Sequence, residues 1–189
     1  MSRPLILVTN DDGIGAKGIE ALVQTMKNFG DVVVVAPDKP QSGMGHAITV
    51  NHPLRMTRSK VFADIEAYST TGTPVDCVKL GIYEILKRKP DLLVSGINHG
   101  ANFSTNVLYS GTMSAAVEGA MENIPSIGFS LCDFSADADF TGAQKIVGEV
   151  TELVLKNEFP PHICLNVNVP KLPANEIKGI EFCKQAAAF

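Results

Sequence analysis

Two adjacent carboxylates, Asp11 and Asp12, stand where an apolar run ends and a glycine-rich turn begins. The run Leu5-Ile6-Leu7-Val8 has the unbroken apolar character of a strand buried on both faces in a parallel sheet. Gly13, Gly15 and Gly18 follow as G-x-G-x-x-G and open a helical pattern. Taken alone, that is a dinucleotide-binding turn, whose N–H groups and helix N-terminus receive a pyrophosphate. Asp38, twenty residues after Gly18, even occupies the place of a ribose-binding acid. The aspartate pair argues against this. Unit charges about 4 Å apart repel by roughly 4 kcal/mol at an effective dielectric near 20, and a pyrophosphate would add further negative charge. A divalent cation reverses the sign of the problem, because it holds the carboxylates together and accepts a phosphate oxygen on an open face. One aspartate could simply cap the next helix. A second is surplus to that task.

The elements that must position this pair alternate along the chain. A helix is expected from about Gly18 to Phe29, with Ile19, Leu22, Val23, Met26 and Phe29 on one face and Gly30 as its stop. Val32 to Ala36 is a second buried strand, completing a βαβ unit. Between Asp38 and Thr70 the pattern changes to short β-like segments around Ala47–Val50, Leu54–Arg58 and Ile65–Ser69, read as a small antiparallel excursion from the main sheet. Thr73-Pro74-Val75-Asp76 is a capping box with proline at the first helical position, so Asp76 is assigned a structural role. Strands at Asp91–Ser95, Ser126–Leu131 and His162–Val169 alternate with helices at Gly111–Glu122 and Thr141–Lys156, and Gly96 to Tyr109 reads as a polar loop. The fold class is therefore α/β, a doubly wound, mostly parallel Rossmann-like sheet within a single domain.

Ligands of such sheets bind beyond the carboxyl ends of the strands. That rule gathers Asn10, Asp11 and Asp12 after the first strand, Gln41-Ser42-Gly43 after the second, and Ser95-Gly96-Ile97-Asn98 with Asn102 after the third. Carboxylate, amide and hydroxyl oxygens suit hard cations such as Mg²⁺, Mn²⁺ or Ca²⁺. Ser110-Gly111-Thr112 stands at a helix start, where free N–H groups and the positive dipole end favour a phosphate, although Ser110 also reads as an ordinary N-cap. His46 and His99 lack a second histidine at ligand spacing and do not indicate zinc.

Composition narrows the class. With 45% hydrophobic and 19% charged residues the chain is globular, and 189 residues suffice for one well-buried core. A net charge of −4 offers no basic patch for duplex nucleic acid. Cys77, Cys132, Cys164 and Cys183 lie far apart without C-x-x-C spacing, which argues against structural zinc and a disulfide framework and fits a reducing cytoplasm. No apolar stretch is long enough for a transmembrane helix, and Asn10-Asp11-Asp12 cuts the first apolar run too short for a signal peptide.

The segments ILVTNDDGIGAKGIEAL, VVAPDKPQSGMGHAITV, TTGTPVDCVKLG, PDLLVSGINHGAN and VLYSGTMSAAVEGA together resemble the SurE family, stationary-phase survival proteins that act as metal-dependent 5′-nucleotidases. The resemblance implies one divalent metal per subunit, Mg²⁺ or Mn²⁺, held by Asp11, Asp12, Ser42 and Asn98. It implies hydrolysis of nucleoside 5′-monophosphates, with Asn10, Gly43, Asn102, Ser110, Gly111 and Thr112 as candidate substrate contacts and Asp11 and Asp12 as candidate catalytic groups. It also implies a cytoplasmic homodimer or homotetramer. The chain departs from the family in reading Asn102-Phe103-Ser104 where a glycine is usual, and in stopping at Phe189 where other members continue into segments that help build their oligomers. A strand is expected near Ile177–Cys183, with an exposed edge available for pairing.

Overall fold

The computed structural model describes residues 3–186. Seven strands form one sheet: β1 (Leu5–Thr9), β2 (Asp31–Pro37), β3 (Met56–Arg58), β4 (Glu66–Thr70), β5 (Leu92–His99), β6 (Ser126–Leu131) and β7 (Cys164–Val169), in the order β3-β4-β2-β1-β5-β6-β7. Every neighbouring pair is parallel except β3–β4. The helices are α1 (Lys17–Met26), α2 (Pro74–Leu80), α3 (Gly111–Met121) and α4 (Thr141–Lys156). A π-helical turn (Gly81–Leu86) prolongs α2, and a 3-10 turn (Ser104–Leu108) precedes α3.

Side chains alternate across the pleat, so each central strand supplies both cores. Ile6, Val8, Val34, Leu92 and Val94 pack beneath α1 and α4 with Ile19, Leu22, Val23, Met26, Val147 and Val150. Leu7, Val35 and Leu93 face the other way, against Cys77 and Val78 of α2 and Ala115 of α3. This two-sided burial is the reason the first two apolar runs carry no alternation.

The strand order runs outward from β1 in both directions, so the topology reverses between β1 and β5. The loops leaving these adjacent strands diverge there and open a crevice.

Several expectations need correction. The antiparallel part of the region before Thr70 is smaller than expected. β4 is a parallel strand of the main sheet, paired with β2 from Val33↔Glu66 to Pro37↔Thr70, and only the short edge strand β3 runs antiparallel. Ala47–Val50 forms no strand, because its backbone is engaged by side chains of the α2 cap: Thr73 Oγ1 donates to the Ala47 carbonyl at 2.7 Å and the Thr49 N–H donates to Asp76 at 3.2 Å. β5 does not stop at Ser95. It passes through a bulge between Ser95 and Asn98 and resumes pairing with β6 at Asn98↔Ser130 and His99↔Leu131. α1 ends at Met26 rather than Phe29, its last turn tightening through Asn28 N–H to Thr25 and Phe29 N–H to Met26 bonds. Residues 177–183 form no strand. The capping box is present as read, with Thr73 accepting from the Asp76 N–H and Asp76 accepting from the Thr73 N–H.

Candidate active site

The crevice at the switch point is a cleft of about 220 Å³. Asp11, Asp12, Ser42, Gly43, Asn98, His99, Asn102, Tyr109, Ser110 and Phe134 line it. β1 delivers the carboxylate pair, the loop after β2 delivers Ser42 and Gly43, and the bulged end of β5 delivers Asn98. Asn10, Gly111 and Thr112 do not line the cleft; Gly111 and Thr112 instead lie against Asp11.

Asp11 is 4% exposed and lies against the start of α3. Thr112 Oγ1 donates to its Oδ1 at 2.6 Å. A Cβ at Gly111 would fall 2.6 Å from the Asp11 Cβ, so this helix start can abut the carboxylate only because residue 111 is glycine. The helix N-terminus read as a phosphate cradle therefore already faces a carboxylate. Burial raises the Asp11 carboxyl above its ordinary value, and the neighbouring Asp12 charge raises it further; the Thr112 hydroxyl and nearby backbone N–H groups oppose both. Asp12 is more exposed, and His99 Nδ1 donates to its Oδ2 at 3.2 Å. The His99 ring stands edge-on to Phe140, centroids 4.9 Å apart and planes at 88°.

Asn98 directs its amide nitrogen to the carbonyls of His99 and Gly100, at 3.0 and 2.8 Å. Its amide oxygen is left available to the cleft. Asn102 is buried and mostly engaged in structure: its N–H donates to Asn168 Oδ1 at 2.8 Å, its amide to Ser130 Oγ at 2.9 Å, and its carbonyl accepts from Asn166 at 2.6 Å. These contacts pin the loop after β5 to β6 and β7. Ser110 caps α3 by accepting from the Met113 N–H at 3.0 Å, and it also lines the cleft. Asn10 is 1% exposed and donates to the Gly13 carbonyl, with its amide oxygen buried and unpartnered.

Two N–H groups of the glycine-rich turn are taken up within the protein. The Ile14 N–H donates to the Pro37 carbonyl and the Ala16 N–H to the Gly13 carbonyl. Gly18 serves packing, since a Cβ there would collide with the Ile97 carbonyl oxygen. A larger hollow of about 340 Å³ opens at the amino ends of the strands, beside Pro4, Asp91 and Pro125. Its charged groups are occupied structurally: Arg3 donates to the carbonyls of Lys27 and Gly30, and Asp91 accepts from the Leu5 N–H.

The donor set suits a hard cation. Two carboxylates converge with an amide and a hydroxyl, and among the described residues lining the cleft there is no lysine or arginine to balance them. Among the described residues no group of three or more His, Cys, Asp or Glu side chains is arranged for a metal, so a nitrogen- or sulfur-rich site is not offered.

Residues 6–189 match the family model described as Survival protein SurE. The chain belongs to the SurE family. A relative from Flavobacterium johnsoniae, named 5′-nucleotidase SurE, is 63% identical over 188 residues, which cover 99% of this chain and 73% of that protein. A relative of the same name from Christiangramia forsetii is 60% identical over 189 residues, covering 98% and 72%. The crystal structure of SurE protein from Aquifex aeolicus matches with a TM-score of 0.89 at 43% identity, over 97% of this chain and 73% of that one.

Within this SurE-family chain, sequence reasoning passed over His99 and Thr112 as neighbours of the carboxylates. His99 directly follows Asn98 at the switch point, and that placement was the available signal. The Thr112–Asp11 contact joins residues 101 apart and has no local signature. No helix among the described residues is long and apolar enough to cross a membrane.

Proposed function

We propose that the chain is a divalent-metal-dependent phosphomonoesterase that hydrolyses nucleoside 5′-monophosphates to nucleoside and phosphate. The relatives named 5′-nucleotidase SurE support the substrate class. The observation that carries the metal requirement is the paired Asp11 and Asp12 in a cleft without lysine or arginine, which would repel a phosphate unless a cation lay between.

Asp11, Asp12, Ser42 and Asn98 would hold one Mg²⁺ or Mn²⁺ per subunit. Such an ion supplies Lewis acidity toward a phosphoryl oxygen and lowers the pKa of a bound water. The chain's own groups do the positioning. Thr112 fixes the rotamer of Asp11, His99 fixes that of Asp12, and one of these carboxylates orients the attacking water for in-line displacement. Ser110 lines the cleft at the start of α3, where its hydroxyl accepts from the Met113 N–H and is free to donate to a phosphate oxygen. Gly43 and Asn102 complete the wall. Tyr109 and Phe134, 64% and 79% exposed at the rim, offer flat apolar faces that fit a nucleobase better than they fit bare phosphate. A cytoplasmic setting and assembly as a homodimer or homotetramer belong to the same proposal and rest on family membership.

Phosphate release from a panel of nucleoside 5′-monophosphates tests the reading. Release should stop in EDTA and return when Mg²⁺ or Mn²⁺ is restored in excess. A rate undiminished by chelation overturns the metal requirement, and absence of release from every nucleotide overturns the activity.

A further inference from the structure

The loop from residue 38 to 50 brings Ser42 to the cleft with little apolar anchorage: Met44, Ile48 and Val50 are 47%, 51% and 73% exposed. Polar contacts hold it instead. The Gln41 N–H donates to the Asp11 carbonyl at 2.7 Å and the Gly45 N–H to the Tyr109 carbonyl at 3.2 Å. Thr73 and Asp76 of the α2 cap hold Ala47 and Thr49. Between these two attachments His46 Nε2 meets Glu118 Oε2 at 2.9 Å, while Lys79 of α2 pairs with the other Glu118 oxygen.

Glu118 is 3% exposed on α3, the helix whose first residues abut Asp11. A carboxylate so buried is costly unless paired and hydrogen-bonded. Burial pushes its carboxyl up, but the hydrogen bonds from Lys79 and His46 outweigh that and hold it below the ordinary range. Glu118 is thus the acceptor and His46 Nε2 carries the proton.

We infer that Glu118 is a positioning residue: through His46 it latches the Ser42 loop to the same helix that positions Asp11, setting the distance between the hydroxyl and the carboxylate pair. The inference rests on Ser42 being a ligand, as proposed above. An ion pair serving only to tie α2 to α3 would need Lys79 and Glu118 but not His46.

His46→Ala removes the loop's link and leaves Lys79–Glu118 intact; His46→Gln restores an amide N–H at the reach of Nε2. Hydrogen exchange of amides 41–49, thermal melting, and calorimetric titration with Mn²⁺ alone give three readouts. H46A should exchange this loop faster and bind Mn²⁺ more weakly, each by roughly tenfold, the order expected for loss of one charge-assisted hydrogen bond. Its melting temperature should fall by only about 3–6 °C, the share of one such bond, and H46Q should recover all three quantities. Exchange unchanged in H46A, or equally fast in H46Q, overturns the latch whatever the metal data show. Ser42→Ala distinguishes the two failures: Mn²⁺ affinity untouched by that change removes Ser42 from the ligand set, while the exchange comparison still decides the latch.

Discussion

Asp11 is the residue at which stability and function pull apart. Its carboxylate is buried, faces Asp12, and has only Thr112 and nearby backbone N–H groups to offset those costs. Because folding raises its pKa above the ordinary value of 3.8, the native state binds this proton more tightly than the unfolded chain does. Stability is then fullest below that ordinary value and falls as the pH rises through the raised one. Asp11→Asn keeps the oxygen that accepts from Thr112 and deletes the charge, so it escapes this decline. In chelated buffer D11N should melt higher than the parent at neutral pH, with the gap closing towards pH 4, while with Mg²⁺ or Mn²⁺ restored its phosphate release should fall by at least about a hundredfold, the scale of losing one catalytic electrostatic group. Parallel melting curves across that pH range would show that the buried charge is not a native-state cost.

At the scale of elements, α2 and its capping box show what local sequence encodes and what it does not. The box was legible because Thr73, Pro74 and Asp76 carry their own geometry within four residues. β6 and α4 were likewise legible to their end residues, from one short apolar run and one amphipathic pattern. What the Asp76 carboxylate does beyond its own helix was not: it also accepts from the Thr49 backbone N–H and, at 2.6 Å, from the Thr49 hydroxyl, 27 positions back. The same holds for β5, whose continuation through Gly96 depends on partners offered by β6, and for residues 177–183, whose β-like composition does not make a strand. Among the candidate site residues, Asp11, Asp12, Ser42 and Asn98 could be gathered from the switch-point rule, whereas the loop that presents Ser42 is held by side chains remote in sequence. Asp76→Ala should therefore cost more than an ordinary cap. Losing a cap costs about 1 kcal/mol, and freeing the Thr49 donors adds roughly 1–3 kcal/mol. Urea unfolding measures the sum. A loss of only the cap's share would mean that the Thr49 contacts contribute nothing to stability.

At the scale of the whole molecule, the sheet converts chain order into convergence. β1 lies between strands that continue in opposite directions, so residues near positions 11, 42, 98 and 110 reach one crevice although three crossovers separate them. A crevice built around two adjacent carboxylates at the end of β1 is under electrostatic tension until a cation joins them, and a cation that binds only the folded chain must raise its stability by mass action. At a free concentration a hundred times Kd the gain is about 2.7 kcal/mol. For a chain of this length each kcal/mol moves the melting temperature by about 2–4 °C, so Mg²⁺ or Mn²⁺ should raise it by several degrees in a concentration-dependent way. Asp12→Asn should abolish most of that rise, because Asp12 is the more exposed partner and its loss leaves one carboxylate to hold the ion. Ca²⁺, also an oxygen-seeking ion, serves as the comparison for size preference. Scanning calorimetry with each ion in turn makes the measurement. A melting temperature indifferent to all three would remove the metal from this crevice, and with it the means by which an acidic cleft admits a phosphate.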